Sequence, residues 1–299
     1  MNTASVDACE GGACANCGKL GGDAVKLKYC TACRLVKYCC VDCQRAHRKQ
    51  HKRACKQRAA ELKSERLYGQ GHERNEGDFC PICTLAMPFP VDAHSVVSPC
   101  CLKRVCIGCS VAAQKRGMSD CPYCRTPYPE SDAESLAMVR ARVAKKDPTA
   151  ICSLGKDYFY GSLGLRRDVR KAFELWTEAA ELGSTEALYS LGKAYALGDG
   201  VRVDDAKGMQ FYERGAVRGC ALCRFELGAK DGSVGKFASA FRHLLISAKM
   251  GHKESVEAIK NMFLGGVATK EQYRQALRGY QDAVEEMKSP EREAAKGIM

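Results

Sequence analysis

The chain has 299 residues, of which 45% are hydrophobic, and it carries 20 cysteines and a formal net charge of +12. This length allows two or three domains with buried cores. Because no window approaches a membrane span and the first residues lack the pattern of a secretory signal, we expect a cytosolic or nuclear protein. Thiols stay reduced in those compartments, so the cysteines indicate metal rather than disulfides.

The cysteines also change the interpretation of the net charge. A zinc-bound cysteine is a thiolate, so fifteen ligand cysteines with four Zn²⁺ ions lower the formal charge by seven, from +12 to +5. A nucleic-acid partner is therefore not expected from the overall charge. Seventeen of the cysteines lie between Cys9 and Cys124. This placement predicts small zinc modules in the first 125 residues and a domain with an ordinary hydrophobic core after them.

Four pairs of candidate ligands follow one another in the first cluster, which is enough for two tetrahedral zinc sites. They are Cys14 and Cys17, Cys30 and Cys33, Cys39 and Cys43, and His51 and Cys55. The members of the last two pairs are four residues apart, so each pair can lie on one helix face. His47 is an alternative to His51, but the spacing to Cys55 favours His51. We interpret Cys40 as a spare thiol and Cys9 as part of a tail.

These residues, with YC at Tyr38–Cys39 and CQ at Cys43–Gln44, resemble the MYND-type zinc finger over residues 14–55. The resemblance implies two interleaved sites. One zinc would be held by Cys14, Cys17, Cys39 and Cys43, and the other by Cys30, Cys33, His51 and Cys55. Arg48 stands where the family often has a tryptophan that helps to form a peptide-binding surface.

A basic run overlaps the last ligands of this finger. Residues 45–66 contain nine Lys or Arg against Glu61 and Glu65. The run is interpreted as the solvated face of a helix that offsets the thiolate charge. A nuclear-import signal or a patch for an acidic partner is the alternative.

The second cluster contains eight cysteines, again enough for two tetrahedral sites. They are Cys80, Cys83, Cys100, Cys101, Cys106, Cys109, Cys121 and Cys124. CPIC at the start and CPYCR at the end resemble a RING finger over residues 80–125. The resemblance implies one zinc on Cys80, Cys83, Cys106 and Cys109, and another on Cys100, Cys101, Cys121 and Cys124.

This cluster departs from the RING pattern at two points. The middle of a RING usually has a Cys-x-His step, whereas this chain has CCLK, and the aromatic residue usual between the sixth and seventh ligands is missing. One of the adjacent cysteines could be idle, with His94 or water completing the site. Ile82, Pro122 and Arg125 match the positions at which RING fingers meet a ubiquitin-conjugating enzyme.

Helical signals replace the cysteines from Ser131 onward. SDAE, from Ser131 to Glu134, predicts a capping box, and Asp147–Pro148 predicts a second helix start. Self-similar segments follow, and a small residue late in each second helix recurs with spacings of 36, 32 and 36. These positions are Ala180, Ala216, Ala248 and Val284. A period near 36 with two helices per unit predicts an α-solenoid.

The segments LGKDYFYGSLGL and LGKAYALGDGV resemble Sel-like repeats, a branch of the tetratricopeptide type, over about residues 148–288. Gly161 and Gly198 are expected to end the first helix of their units. Aromatic residues are expected in the core rather than in a ligand cage; they are Tyr158, Trp176, Tyr195, Phe211 and Tyr212. The resemblance implies binding of other proteins along a concave face.

The predicted fold is mainly α: a solenoid of helix pairs preceded by two small zinc-stapled fingers. The segments are a flexible tail (1–13), the MYND-type finger (14–55) with a basic helix to about 68, a linker (69–78), the RING-like finger (79–128), a capping helix (131–147), the repeats (148–288) and a C-terminal tail (289–299).

Two functional hypotheses follow. In the first, the chain is a zinc-dependent scaffold whose fingers and repeats each dock a protein. In the second, it is a RING-type ubiquitin ligase whose repeats select the substrate. No other catalytic motif is seen, and a membrane partner is not expected.

Overall fold

A computed structural model describes residues 12–296. Residues 1–11, with Cys9 and most of the predicted N-terminal tail, and residues 297–299 lie outside the described residues. The chain divides into two compact units, Met1–Gly69 and Gln70–Met299, and each is described by itself. Within residues 12–296, no helix is long and apolar enough to cross a membrane.

The first unit is a small finger with one long helix. Strands β1 (Lys28–Tyr29) and β2 (Lys37–Tyr38) pair antiparallel, and α1 runs from Val41 to Gly69. The sequence of α1 is rich in good helix formers, but His51 is its buried residue. Three ligand cysteines and Tyr38 make up the buried core of this unit. So little apolar surface is buried that metal binding must supply much of its folding free energy.

The second unit begins with the second cysteine cluster, in the segment 79–128 that the sequence predicts to be a RING-like finger. Two short 3-10 helices cover Glu76–Asp78 and Val91–His94, and strand β3 (Ser95–Val97) pairs antiparallel with β4 (Arg104–Cys106). Helix α2 follows at Ile107–Lys115. The finger's core combines Met87 and Val105 with the ligand cysteines of one site.

An array of paired helices follows the finger. The helices are α3 (Asp132–Val143), α4 (Pro148–Tyr160), α5 (Val169–Glu181), α6 (Thr185–Leu197), α7 (Asp205–Ala216), α8 (Ala221–Ser233), α9 (Phe237–Lys249), α10 (Lys253–Leu264), α11 (Lys270–Glu286) and α12 (Pro290–Ala295). The prediction of a mainly α chain with a solenoid of helix pairs is confirmed. Helix α12 lies in the segment that sequence analysis assigned to a tail.

The helix boundaries follow from local sequence. Asp147 caps α4 by accepting hydrogen bonds from the Thr149 and Ala150 amides, and Pro148 occupies the first turn. Gly161 and Gly198 end α4 and α6 in the left-handed conformation, each with φ of 74°.

The predicted capping box at α3 is half formed. Ser131 accepts a hydrogen bond from the Glu134 amide, as a capping residue should. The Glu134 carboxylate, however, accepts from the Glu130 amide at 2.8 Å rather than from Ser131. The helix start is therefore where the pattern places it, with a different reciprocal partner.

In each of the helix pairs α4–α5, α6–α7 and α8–α9, a glycine of the first helix lies against a large side chain of the second. A Cβ on Gly155 would lie 2.6 Å from Trp176, one on Gly192 would lie 2.5 Å from Tyr212, and one on Gly228 would lie 2.7 Å from Leu244. Trp176 and Tyr212 are buried, as expected of core aromatics, while Tyr158, Phe211 and Tyr195 are half-buried.

The RING-like finger and the helical array share one core. Leu102 of the finger belongs to the same buried cluster as Trp176 and Leu188. Arg104 of β4 forms ion pairs with Asp92 in the finger and with Glu186 of α6, the latter at 3.3 Å. The finger therefore packs against the first two repeats, whereas the sequence predicts two separate domains.

Candidate metal centres

Four groups of side chains bring metal-binding atoms together in the described part of the chain. In each group the sulfur or nitrogen atoms all lie within 4.8 Å of one another. The groups are Cys14, Cys17, Cys39 and Cys43 (site one); Cys30, Cys33, His51 and Cys55 (site two); Cys80, Cys83, Cys106 and Cys109 (site three); and Cys100, Cys101, Cys121 and Cys124 (site four). These are the sixteen residues, in the same groups, that sequence analysis assigned to zinc.

The distances between sulfurs indicate metal sites rather than disulfides. The Sγ atoms of Cys17 and Cys39 are 3.6 Å apart, and those of Cys83 and Cys106 are 3.8 Å apart. A disulfide requires about 2.05 Å. Tetrahedral zinc with a Zn–S distance of about 2.3 Å places neighbouring sulfurs about 3.8 Å apart. The described cysteines are all free thiols, so the donor sets fit zinc.

Site two takes its nitrogen ligand from α1. The Nε2 atom of buried His51 lies 3.1 Å from Cys33 Sγ. His47, the alternative ligand, lies outside the group; its ring stacks on His51 with centroids 5.8 Å apart, and its Nδ1 lies 3.1 Å from the Tyr38 hydroxyl. His47 therefore packs beside the ligand ring instead of joining the metal-binding group.

One detail of the helical interpretation is wrong. The spacing of Cys39 and Cys43 was expected to place both on one helix face, but α1 begins at Val41, so Cys39 precedes the helix. The bend before the helix carries its sulfur to 3.6 Å from Cys43. Cys40 is exposed, and its sulfur accepts a hydrogen bond from the Cys43 amide, which agrees with a thiol outside the site.

Both adjacent cysteines take part in site four. Cys101 Sγ lies 3.8 Å from Cys121 Sγ, while Cys100 lies 3.3 Å from Cys124. Leu102, next in the chain, has φ of 52°, the tight backbone turn that two neighbouring ligands require. His94 ends a 3-10 helix and is not a member of the group. The geometry therefore favours four cysteines over the alternative in which His94 or water completes the site.

One thiol in each group is poised to ionise. A hydrogen bond from the Cys17 amide lowers the pKa of Cys14 to about 6, and the Cys106 thiol lowers the pKa of Cys80 to about 4. Burial opposes ionisation of Cys30, but the Cys33 amide and its neighbours still lower its pKa to about 6. These amides belong to the turns of the C-x2-C pairs, which hold the sulfurs toward one point.

Other thiols of the same groups shift in the opposite direction. Burial raises the pKa of Cys55 and Cys109 to about 12 and that of Cys101 to about 11. Four sulfurs at these distances cannot all become anionic without a cation among them. A bound Zn²⁺ would supply that charge and act as a structural cross-link, and its binding would displace the protons.

The three residues proposed to meet a conjugating enzyme lie on the finger surface. Ile82 is 43% exposed, Pro122 is half-buried, and Arg125 is exposed with its Nη1 2.8 Å from Met118 Sδ. All three are therefore accessible to a partner, as a docking role requires.

Comparison with known proteins agrees with the two best-defined modules. A family described as MYND finger matches residues 14–55, and one described as Sel1 repeat matches residues 148–184 and 185–220. The chain contains a MYND finger and Sel1 repeats. Both are protein-interaction modules, and the further cysteine groups after the MYND finger fit additional zinc fingers.

Among individual proteins, the chain is similar to "Chitin synthase regulatory factor 3" of Schizosaccharomyces pombe, 36% identical over 69 residues. That stretch is 23% of this chain and 7% of the relative. A Sel1 repeat protein from Oxalobacter formigenes is 26% identical, covering 51% of this chain and 64% of that chain, with a TM-score of 0.45. The Escherichia coli antigen c5321 is also 26% identical, covering 52% and 34%, with a TM-score of 0.45.

Several residues around the sites carry no signal in the sequence. Leu102 belongs to the finger in sequence but packs in the core of the array. The side chains of Arg74 and Arg292 are buried beside the loop after Cys83. Each depends on a partner far away in the chain, so neither spacing nor periodicity could have identified it.

Proposed function

We propose that this chain is a zinc-stapled scaffold that binds other proteins. The observation that carries the proposal is a groove of about 1040 Å³ in the second unit. Its walls come from α4, α6 and α8 on one side and from the RING-like finger on the other. A partner in the groove would contact repeats and finger together, so zinc in the finger would maintain one wall of the binding site.

The side chains of this groove suit a segment of a protein with both polar and apolar residues. Tyr160 is 72% exposed at the end of α4, and Lys193 is exposed on α6. Glu186 pairs with Lys156 at 2.5 Å on the same wall. Exposed aromatic and charged side chains along successive inner helices are the usual contacts of repeat proteins with their partners.

The test uses exposed positions, because their substitution leaves the fold intact. Lys193→Glu and Tyr160→Ala in the full chain should weaken binding of the proteins that co-purify with it. Leu264→Ala is the matched control, since Leu264 is 70% exposed at the end of α10 and does not line the groove. Equal binding by all three variants and the unaltered chain would remove the groove from the account.

A ubiquitin ligase is the second candidate. The accessibility of Ile82, Pro122 and Arg125 on the RING-like finger supports it. In a reconstituted assay with a panel of conjugating enzymes, Ile82→Ala and Arg125→Ala should abolish autoubiquitination while all zinc remains bound. If the unaltered chain builds no ubiquitin chains with any enzyme of the panel, the ligase hypothesis is wrong and the scaffold remains.

The proposal places the protein in the cytosol or nucleus, because ligand thiols must stay reduced to hold zinc. The similarity to a regulatory factor supports a role in controlling partner proteins rather than in transforming a small substrate. We propose a regulatory scaffold on this ground.

A further inference from the structure

The C-terminal helix α12 lies against the second finger. Arg292 and Ala295 are its buried residues, and it packs on α2. The approach is very close, because a Cβ on Gly108 would lie 2.7 Å from the backbone nitrogen of Arg292 and 2.8 Å from its Cα. A helix from the end of the chain therefore rests directly on the helix that follows ligand Cys106.

The guanidinium of Arg292 reaches into the finger. Its Nη1 donates to the carbonyl oxygens of Ala86 at 2.6 Å and Met287 at 2.7 Å. Its Nη2 donates to the Leu85 carbonyl at 3.1 Å and to the Sγ atom of Cys83 at 3.4 Å. The residue is 9% exposed, so these contacts are made almost out of water. One side chain thus joins α11, the loop after Cys83 and a ligand sulfur of site three.

A second buried guanidinium holds the next carbonyl of the same loop. Arg74 donates to the Met87 carbonyl and lies 4.3 Å from the centroid of the Phe89 ring. Among the described residues, Asp78 supplies the one carboxylate within ion-pair distance of either guanidinium. It lies 3.5 Å from Arg74. Two buried positive charges thus have one carboxylate between them. Burying an uncompensated charge is costly, so further negative charge is required nearby.

Site three supplies that charge when it holds metal. Four thiolates around one Zn²⁺ leave a net charge of −2, and Arg292 touches one of the four sulfurs. Without the metal, Cys83 and the loop after it lose the cross-link that holds the Leu85 and Ala86 carbonyls, the acceptors of Arg292, in place. Donors to ligand atoms also orient the ligands and strengthen metal binding.

We propose that Arg292 couples the C-terminal helix to the third zinc site, so that the helix stays bound only while the site holds metal and the site holds metal tightly only while the helix is bound. The inference rests on the zinc-stapled scaffold proposed above. Because α12 directly follows α11, the last long helix of the array, the metal state of the finger is transmitted to the far end of the repeats.

The first test is Arg292→Gln in the full chain, which removes the charge and keeps most of the side chain. We measure how fast N-ethylmaleimide alkylates each cysteine, resolved by peptide mass spectrometry. The metal affinity of site three should fall by roughly 10–100-fold, the usual effect of losing a group that supports a metal ligand, and alkylation of its cysteines should accelerate accordingly. The cysteines of site four serve as the internal reference and should not change. Lys296→Gln is the matched control, since Lys296 is exposed at the end of the same helix and pairs with Glu293.

The second test is Gly108→Ala, which changes neither Arg292 nor any ligand residue. Alanine favours a helix over glycine, so α2 by itself should become more stable. If the proposal holds, the added methyl displaces α12, faster alkylation appears at site three, and amide hydrogen exchange in residues 289–296 increases. Unchanged alkylation in both variants, or an equal increase at sites three and four, would overturn the coupling. Native mass spectrometry that still counts four zinc ions shows that such a failure leaves the scaffold proposal standing.

Discussion

Trp176 is the side chain whose removal should cost the array most. It is 3% exposed, lies between Phe159 and Phe173 with ring centroids 5.0 and 5.6 Å away, and donates its indole N–H to the Cys152 carbonyl at 3.3 Å. Trp176→Ala removes these contacts and leaves a cavity, so the free energy of unfolding should fall by about 3–5 kcal/mol. Tyr160→Ala, at an exposed position of the neighbouring helix, should change it by less than about 0.5 kcal/mol.

Gly155, which lies against this ring, allows a second test of the same packing. A Cβ on Gly155 would lie 2.6 Å from Trp176 Cδ1, so Gly155→Ala should cost about 1–3 kcal/mol by overpacking. When Trp176 is already alanine, the same methyl enters a cavity and should cost little or stabilise. The two substitutions are therefore expected to couple by about 1 kcal/mol or more.

The assay must not use tryptophan fluorescence, because Trp176 is the single tryptophan of the chain. Urea unfolding, monitored through hydrogen exchange of peptides from α4 and α5, reports on the affected helices directly. Additive effects of the two substitutions would mean that Gly155 does not receive the indole ring. If Trp176→Ala lowered the free energy of unfolding by less than about 1 kcal/mol, Trp176 would not be a core residue.

Three further predictions concern the metal sites and the joint between finger and array. As the pH falls, zinc should leave sites one and two before site three. Protons compete with zinc for the thiols, and the pKa values of Cys14 and Cys30, about 6, lie above that of Cys80, about 4. Site-resolved alkylation after dialysis against a series of acidic buffers would detect this order. Simultaneous loss at all three sites would contradict this order. Leu102→Ala should destabilise the array by about 2–5 kcal/mol although Leu102 lies in the finger, and hydrogen exchange of α4 and α6 would measure this loss. Val97→Ala, at an exposed position of the finger, is the control. Equal effects of the two substitutions would refute the shared core. Cys83→Ser, in contrast to Ile82→Ala, should lose both a zinc ion and the local structure of the finger. Native mass spectrometry would count the zinc ions, and hydrogen exchange of residues 79–128 would report on the local structure. A fully metallated Cys83→Ser chain would exclude Cys83 as a ligand.

The zinc sites could be predicted because their information is local. A C-x2-C turn can direct two sulfurs to one point, so spacing alone identifies ligand pairs such as Cys14 and Cys17. The repeats were predictable for a similar reason, since Gly161 and Gly198 recur at the helix ends that need a left-handed residue. The grouping of pairs into four sites came from resemblance to known fingers, and the structure brings the same groups together.

Contacts between distant segments were not predictable in this way. Nothing in the finger's sequence distinguishes Leu102, and its place in the array's core depends on α3 and the helices after it. Arg292 contacts Leu85 and Ala86, which are separated from it by more than 200 residues. Such pairs leave no periodic pattern in a single sequence, so the sequence alone predicts a tail where α12 lies and a separate domain where the finger lies.

The most direct test of the account is the number of zinc ions bound to the full chain, counted by native mass spectrometry before and after treatment with a strong chelator. Fifteen thiolates and one imidazole fill sixteen ligand positions in four groups, so the account predicts four ions per chain, all lost to the chelator. A count of two would contradict it, because one of the two cysteine clusters would then hold no metal.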